Sequence, residues 1–326
     1  MRRPHVYTTE AIILKRMDYG EADRILTLFT PRQGKLRAIA KGSRRTTSRL
    51  AGHIELFTRS QLQLATGRDL EIITQGESKE RFPHLRAELW HATTAYYLAE
   101  LIEKFTEDEA EYHTLYTLFI DTLRRLDEDA AQSAGSIVSN GHNGHNGALR
   151  LQETQALYTA DIHGNGAASN GHTNGHVDGA LAPLALPADQ DATPGNGHAN
   201  APYRSRAWQM LRYFEMHLLG NLGYRPSLHE CAACGATLEP VENGFNPTLG
   251  GVICPNCSRY WQRPVSLASF KVLRLFQTSD WEDIPRLRLE ASQQHEIEYL
   301  LQSLIRFHLE RDLKSWDFLR HIQPVQ

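Results

Sequence analysis

Short runs of alternating apolar and polar residues occupy the first part of the chain, up to Gln75. Such alternation is typical of β-strands with one buried face. The pattern predicts five strands over residues 8–15, 24–29, 35–40, 57–64 and 69–75. Turn-forming residues separate them at Asp18-Tyr19-Gly20, Pro31 to Gly34, Lys41-Gly42 and Thr66-Gly67-Arg68.

No helix-length segment separates these strands, so they cannot form a parallel sheet with crossover helices. They are expected to pair antiparallel and to curl into a small barrel or sandwich, most simply a five-stranded OB-type barrel. The alternation suggests an inward-facing apolar set of Ile25, Leu28, Leu62 and Leu64.

The apolar period changes to three and four residues after Phe82-Pro83, which predicts amphipathic helices. Two such helices are predicted. The apolar positions of the first are Leu85, Leu89, Ala92, Tyr96, Ala99, Ile102 and Phe105, and those of the second are Tyr112, Leu115, Phe119, Leu123 and Leu126. Their aromatic stripes indicate core packing rather than a cofactor site. Further on, helical periods return at Trp208 to Leu219, at residues 267–276 and in a long helix over 293–320 with Ile297, Leu300, Leu301, Leu304, Phe307 and Leu313 on its apolar side.

Residues 132–202 differ in composition from the rest of the chain. Repeats such as NGHNGHNG carry too few aliphatic residues for burial to offset the entropy lost on ordering. This stretch is predicted to be a mostly disordered insertion, with a short helix over 148–159 as an island. Six of the sixteen histidines lie here, but their irregular spacing in a flexible tether does not favour a metal site.

The predicted organisation is an α+β multidomain chain. A barrel domain (1–82) precedes a helical domain in three parts (83–131, 203–230 and 264–326), which is interrupted by the insertion (132–202) and by a four-cysteine knuckle (231–263).

Charge is unevenly distributed along the 326 residues, although the net charge is only −3. Residues 1–82 carry 16 Lys and Arg against 9 Asp and Glu, which is +7, so the remainder carries −10. A basic domain of this kind attracts polyanions, of which nucleic acid is the obvious one. No apolar run approaches the ~20 residues of a membrane span, and the four cysteines occur in Cys-x-x-Cys pairs that suit a reducing compartment. A cytoplasmic protein is expected.

The densest basic segment runs from Arg32 to Arg49 and contains no acidic residue, so no neighbour in sequence neutralises it. Gly34 and Gly42 favour a strand that leads into a mobile loop. The residues predicted to follow a DNA backbone are Lys35, Arg37, Lys41, Arg44, Arg45 and Arg49. Phosphate contacts bind without reading sequence. The alternative is a solvated basic loop without a ligand.

Two Cys-x-x-Cys pairs, Cys231/Cys234 and Cys254/Cys257, are separated by nineteen residues. Two tight turns of this kind complete a tetrahedral four-thiolate site, which predicts one structural Zn²⁺ ion. Four thiolates leave no open position for water or substrate, so the ion is expected to stabilise the fold and not to catalyse. Redox use of the pairs is the less favoured alternative. Four residues beside the knuckle have two interpretations: Arg259, Tyr260, Trp261 and Arg263. One is that they contact nucleic acid. The other is that Tyr260 and Trp261 pack the knuckle onto the helices.

No phosphate-binding loop, dinucleotide fingerprint or nucleophile elbow is present, so no enzyme activity is expected. The acidic runs 107–109 and 127–129 are interpreted as solvated helix ends rather than as a two-metal nuclease site.

Outside the insertion, the chain resembles the RecO family of bacterial recombination-mediator and DNA repair proteins. The similarity is carried by Asp18 to Thr30 (DYGEADRILTLFT), Gly34-Lys35, Lys41 to Arg45 with Ser48-Arg49, His217-Leu218-Leu219, Gly223-Tyr224, Pro226, Leu228, the Cys231/Cys234 pair and Leu267 to Leu275. The histidine-rich insertion departs from the family pattern.

The resemblance implies an N-terminal OB-fold, a helical domain and a zinc finger. It also implies binding of single- and double-stranded DNA, annealing of complementary strands, and work with RecR to load RecA onto DNA coated by the single-strand-binding protein. The acidic tail of that protein would bind to a surface of the helical domain. The candidate residues for this contact are Arg124, Arg125, Arg212, Arg306 and Arg320. Two other classes stay open: a protein-interaction scaffold and a metal-dependent DNA-processing enzyme.

Overall fold

The computed structural model describes residues 5–138 and 201–322. The predicted helical island at 148–159, and most of the predicted insertion, lie outside these residues. The two ends of the predicted insertion belong to helices, because the helix that begins at His113 continues to Val138 and the next described helix begins at Ala201.

Five strands form a closed barrel at the amino end. They are β1 (Val6–Tyr19), β2 (Asp23–Thr30), β3 (Gly34–Ala40), β4 (Arg59–Ala65) and β5 (Glu71–Glu80). The strand order is β1-β2-β3-β5-β4, with β4 returning to β1, and only the contact between β3 and β5 is parallel. All five predicted strands are present, and the predicted OB-type barrel is confirmed. The strand β1 is longer than expected and carries an irregularity between Ile13 and Lys15.

The barrel interior is filled by small and aliphatic side chains. Leu28, Leu62 and Leu64 belong to this core, as expected, but Ile25 does not. Its neighbour Leu26 faces inward instead. Successive side chains of a strand alternate between the two faces, so Ile25 and Leu28, three residues apart, cannot both face inward.

Seven α-helices are described in the C-terminal part. They are α1 (Pro83–Ala87), α2 (Leu89–Phe105), α3 (His113–Val138), α4 (Ala201–Asn221), α5 (Leu267–Thr278), α6 (Ala291–Leu309) and α7 (Lys314–Ile322). The single long helix predicted over 293–320 is wrong, because α6 ends at Leu309, Glu310 after it is left-handed (φ 53°), and α7 begins only at Lys314. Phe307, predicted on the apolar side, is 43% exposed. No described helix has the length and apolar character needed to cross a membrane.

A second hydrophobic core, distinct from the barrel interior, joins the outer face of the barrel to the helices. Ile12, Leu14, Phe29 and Phe57 point away from the barrel interior and join the helical core cluster. The ring of Phe29 lies 5.7 to 6.4 Å from aromatic rings of the α2–α3 loop and of α3, those of Tyr112, Tyr116 and Phe119. Burying both faces of β1 and β2 in this way fixes the barrel against the helices.

Backbone hydrogen bonds strengthen this junction. The N–H of Glu109 donates to the carbonyl of Gln33 at 3.0 Å, and the N–H of Tyr112 donates to that of Pro31 at 3.0 Å. Gly34 follows Gln33 and has a left-handed backbone (φ 58°), and a Cβ placed on it would lie 2.6 Å from the carbonyl oxygen of Glu107. Only glycine allows this approach of the β2–β3 turn to the α2–α3 loop.

We expect Gly34→Ala to destabilise the protein more than Gly20→Ala does. Both glycines have positive φ, but a Cβ on Gly20 meets nothing within 4 Å. Each substitution costs about 1–2 kcal/mol of backbone strain, and Gly34→Ala adds about 1–3 kcal/mol of steric overlap with backbone atoms that cannot retreat. Urea unfolding of the two variants measures the difference, and equal losses would contradict the close junction.

A fully buried charged pair lies within the helices. Arg212 and Glu215 are both 0% exposed, with Nη1 of the arginine 3.0 Å from Oε2 of the glutamate. The other carboxylate oxygen accepts hydrogen bonds from Tyr97 at 2.7 Å and from Gln302 at 2.8 Å. Burial raises the pKa of Glu215 to about 7, although Arg212 opposes the shift. Because Arg212 is enclosed, it is not a candidate for receiving an acidic tail.

Candidate nucleic-acid interface and metal centre

The predicted DNA-binding residues lie on one side of the barrel. Leu36, Ala38 and Ala40 of β3 face the interior, so Lys35 and Arg37 lie on the outer face. The loop after β3 carries the other four predicted residues, Lys41, Arg44, Arg45 and Arg49, all of them exposed. The structure therefore brings the six residues to one strand and the loop that continues it.

Lys35 is engaged at the junction with the helices. Its Nζ donates to the carbonyl of Glu103 at 2.9 Å and lies 3.8 Å from a carboxylate oxygen of Asp108, and the side chain is 21% exposed. The expectation that nothing neutralises the basic segment is wrong at this position. The α2–α3 loop supplies a carboxylate that is remote in sequence.

Arg44 is likewise paired, with the turn between β1 and β2. Its Nε lies 3.3 Å from Asp18 Oδ2, and its Nη1 donates to the carbonyl of Gly20 at 3.2 Å. The N–H of Gly42 donates to Asp23 Oδ1 at 2.7 Å, and the N–H of Arg44 donates to the carbonyl of Ala22 at 2.9 Å. These contacts hold the loop against the hairpin, so the start of the loop is more ordered than predicted, and they neutralise part of the charge of Arg44.

The other four predicted cations are exposed. Among residues 5–138 and 201–322, no ion pair is formed by Arg37, Lys41, Arg45 or Arg49. An exposed cation that is not already paired keeps its full attraction for phosphate. These residues, which we call the free barrel cations, are the part of the predicted site that the structure leaves available.

Strand register places other side chains beside them. Thr27 lies between Lys15 and Arg37 across β1, β2 and β3. The next row along these strands has the half-buried Met17 and Ile39 on either side of Ile25, which is buried. The outer sheet face thus combines a polar row with an apolar row. Nucleic-acid-binding barrels use this combination, with phosphates near cations and bases near apolar or aromatic groups.

Of the aromatic residues Tyr7, Tyr19, Phe29 and Phe57 of the barrel domain, Tyr19 is the exposed one. Phe29 and Phe57 are buried in the helical core, and Tyr7 packs against the barrel core. Tyr19, at the end of β1, is 53% exposed. Since its neighbours Asp18 and Gly20 both contact Arg44, it is the aromatic side chain best placed beside the basic loop.

A cleft of about 650 Å³ adjoins Arg37, between β3, the β4–β5 loop and the α2–α3 loop. Its lining mixes both signs of charge, with Arg68 and Lys35 near Asp69 and Asp108. The cleft continues the basic surface around the barrel but is not purely basic. Sequence reasoning missed Arg68, because it stands alone in a turn.

The four cysteines converge on one point, as their spacing predicts. The sulfur atoms of Cys231, Cys234, Cys254 and Cys257 all lie within 4.8 Å of one another, and those of Cys234 and Cys254 are 3.8 Å apart. A tetrahedron with metal–sulfur bonds of ~2.3 Å has edges of about 3.8 Å. The donor set and its size therefore fit a four-coordinate metal ion.

Tight turns and a small sheet position the thiols. After the first pair, Gly235 has φ +74° and its N–H donates to the carbonyl of Cys231 at 2.8 Å. The sheet contains β6 (Asn243–Asn246), β7 (Gly251–Ile253) and β8 (Arg263–Val265) in the order β7-β6-β8. β6 and β7 pair as an antiparallel hairpin, and Asn243-Gly244 lies within β6. We call residues 231–265 the ribbon.

The thiols do not ionise alike in the crowded site. Burial opposes ionisation of Cys231, but backbone N–H donors of Cys254, Ala233 and Cys234 lower its pKa to about 6. Contact with Cys234 raises the pKa of Cys257 to about 12, and burial raises that of Cys254. Four thiolates this close repel one another unless a cation lies among them, which is the electrostatic role of a bound metal ion.

The acidic runs have structural partners. Asp129 is buried and lies 3.0 Å from Nε2 of His91, and Asp127 accepts the N–H of Leu85 at 2.8 Å. Both residues lie inside α3, so placing them at a solvated helix end was wrong. Asp108 of the other run faces Lys35. The carboxylates in question are thus occupied in packing the helices and the barrel.

These features define a class of protein: an OB-type barrel joined to a helical domain that carries a four-cysteine ribbon. Comparison with known sequences identifies the family. Two protein-family models match the chain. The family model described as "Recombination protein O N terminal" matches residues 1–82, and the family model described as "Recombination protein O C terminal" matches residues 200–317.

Curated relatives agree with these matches. A "DNA repair protein RecO" of Roseiflexus sp. is 36% identical over 325 residues, which cover 99% of this chain and 88% of that protein. A protein of the same name from Dehalococcoides mccartyi is 31% identical over 316 residues, which cover 97% and 95%. The chain belongs to the RecO family of DNA repair proteins, which places it in recombination-linked DNA repair.

Proposed function

We propose that this protein is a recombination mediator that binds single- and double-stranded DNA without sequence preference and anneals complementary strands. The observation that carries the proposal is the OB-type barrel with four free barrel cations on its outer side. Arginine and lysine contacts to phosphate are independent of base sequence. A protein that serves any broken strand needs this kind of binding.

Annealing follows from the same surface. Two strands repel each other through their phosphates, and cations that neutralise part of this charge let complementary bases meet. The outer sheet face, with its apolar row and Tyr19, supports contact with unpaired bases. The barrel is held rigidly on the helices, so the strands would be presented on a fixed surface.

The metal is proposed to be Zn²⁺, bound by Cys231, Cys234, Cys254 and Cys257. Soft thiolate ligands in tetrahedral geometry select zinc among the common divalent ions. The ion would stabilise the ribbon and leave no coordination position for chemistry.

The partners are proposed from the family: RecR, the single-strand-binding protein, and RecA indirectly. For the acidic tail of the single-strand-binding protein there are five arginine candidates, and three of them have other contacts or are buried. Arg124 pairs with Glu80 at 2.8 Å, Arg306 pairs with Asp312 at 2.9 Å, and Arg212 is enclosed. Arg125, which lies over the ring of Trp281, and the exposed Arg320 are the two that fit best.

The protein is proposed to act without turnover, in the cytoplasm in association with the nucleoid. None of the matched family or relative names denotes a catalytic activity. A scaffold that uses only its helical surfaces is the competing function. It predicts no retention of single-stranded DNA at moderate salt in a filter-binding assay, whereas a DNA-processing enzyme predicts cleavage of labelled strands in the presence of Mg²⁺.

A fluorescence annealing assay tests the proposal. We expect the protein to speed the pairing of two labelled complementary strands by roughly 10-fold or more at low salt, since charge neutralisation raises encounter rates on this scale. The acceleration should persist when both strands carry bound single-strand-binding protein, and it should fall as salt rises.

The control is the same assay with Arg37, Lys41, Arg45 and Arg49 replaced by alanine. This variant keeps the barrel interior and the junction with the helices, so a loss of acceleration assigns annealing to the free barrel cations. Annealing at the wild-type rate would refute the proposed surface.

A further inference from the structure

Two arginines of the ribbon lie over the rings of exposed tyrosines. Arg259 is 4.7 Å from the ring centre of Tyr260, and Arg263 is 4.2 Å from that of Tyr299 on α6. Tyr260 is 41% exposed and Tyr299 is 38% exposed. Two arginine–tyrosine pairs are therefore formed by arginines only four residues apart in the ribbon, outside the barrel.

The backbone of the ribbon holds these pairs outward. The ring of Trp261 occupies the space above Gly244, where a Cβ would lie 2.0 Å from the indole, and its Nε1 donates to the carbonyl of Cys254 at 3.2 Å. The carbonyl of Tyr260 accepts a hydrogen bond from Asn246 at 2.8 Å. Trp261 thus packs inward, as one alternative predicted, while the residues on either side of it are fixed at the surface.

Both arginines are exposed. Within the described part of the chain, Arg259 and Arg263 form no ion pair. Other exposed arginines of the helical domain do, such as Arg286 with Asp283 at 2.8 Å. Arginines that lie over exposed rings and form no ion pair can bind phosphate. The aromatic rings and the guanidinium groups also provide flat surfaces on which bases can stack.

We propose that Arg259, Tyr260, Arg263 and Tyr299 form a second nucleic-acid contact, specific for unpaired single strands. Base stacking requires bases that are not already stacked within a duplex, so the aromatic pairs favour single strands over double strands. The contact rests on the proposed DNA-binding function but uses a surface that the barrel does not contribute to. One chain would then hold one strand on the barrel and another on the ribbon, which suits the annealing of two strands.

The test uses the full chain with the free barrel cations replaced by alanine, so that residual binding reports on the ribbon. In this background, Tyr260→Leu with Tyr299→Leu should weaken the binding of an oligo-dT strand by roughly 10-fold or more. Leucine keeps the apolar bulk and leaves both arginines in place, so the net charge is unchanged. The matched control is Phe307→Leu, an exposed aromatic residue on α6 over which no arginine lies in the described chain.

A second measurement locates the strand on the wild-type protein. Single strands that carry 5-iododeoxyuridine should form photo-adducts at Tyr260 or Tyr299, which peptide mass spectrometry identifies. Bound metal, measured for every variant, shows that the ribbon is intact.

The outcomes separate the two proposals. Adducts at neither tyrosine, or equal effects of the tyrosine pair and of Phe307→Leu, would overturn the second contact while wild-type DNA binding still supports the barrel. A wild-type protein that binds no DNA at low salt would overturn both.

Discussion

Replacing Cys231 and Cys254 by serine is expected to abolish metal binding and to unfold the ribbon. The two residues are the more buried members of the site, and their backbones anchor both turns. A structural zinc ion contributes an apparent ~10–16 kcal/mol to the folding of small zinc-dependent domains. The ribbon has only three short strands of its own, so it cannot replace this contribution by packing alone.

Metal content and limited proteolysis measure this effect. The wild-type protein should bind one zinc ion per chain and resist cleavage across residues 231–265, whereas the variant should bind none and be cleaved there. Ser258→Ala is the control, because Ser258 is exposed next to Cys257 but offers no thiolate. All four thiol ligands lie in the ribbon, so the free barrel cations should still bind DNA and only the contribution of the proposed ribbon contact should be lost. A variant that loses its metal but keeps a protease-resistant ribbon would contradict the structural role of the ion.

The second large effect concerns the free barrel cations. Replacing Arg37, Lys41, Arg45 and Arg49 by alanine is expected to weaken single-strand binding by roughly 10²- to 10³-fold at 0.1 M salt. Each cation that neutralises a phosphate releases a counterion, and four such contacts multiply to this factor. The loss should be similar for unrelated sequences, because phosphate contacts do not distinguish bases. Fluorescence anisotropy with two strands of different sequence measures it.

A control variant removes the same charge elsewhere. Lys271, Arg286, Arg288 and Arg311 are exposed side chains of the helical domain. Their replacement by alanine lowers the net charge by the same amount without touching the barrel, so it should change affinity only slightly. Equal losses in both variants would mean that overall charge, and not the barrel surface, governs binding.

Much of the fold could be predicted from sequence because its patterns are local. Alternation located all five barrel strands, since a half-buried strand requires it, and spacing located the four cysteines, since a tetrahedral site requires it. Side-chain register was less accessible. Two features decide which residues face the barrel interior: the shift in strand register between Ile13 and Lys15, and the three-residue separation of Ile25 and Leu28. The general alternation of apolar and polar residues along the chain reveals neither of them.

The site was less predictable because charge neutralisation depends on contacts between distant residues. Asp18 reaches Arg44 through the β1–β2 hairpin, and Asp108 reaches Lys35 through the α2–α3 loop. Neither carboxylate is near the basic segment in sequence. Gly34 is the one residue of the basic segment whose identity indicates that the α2–α3 loop packs against the β2–β3 turn. Its left-handed φ and the nearby carbonyl oxygen of Glu107 leave no room for a side chain. The division of the chain into six segments stays a prediction.

The buried pair Arg212–Glu215 shows a second limit. On the helical period Arg212 follows Leu211 and resembles a surface arginine, yet it is enclosed beside Trp208 and Trp316. Only the packing of α4 against the other helices reveals this. Likewise, the left-handed residue that separates α6 from α7 is Glu310, which carries no glycine or proline signal.

The salt dependence of single-strand binding addresses the barrel surface most directly. The slope of log K against log salt is measured for the wild-type protein and for the variant without the free barrel cations. Four lost phosphate contacts should make the slope shallower by about 2.8, at ~0.7 for each contact to a single strand. A slope that stays at the wild-type value would place the phosphate-binding surface somewhere other than the barrel.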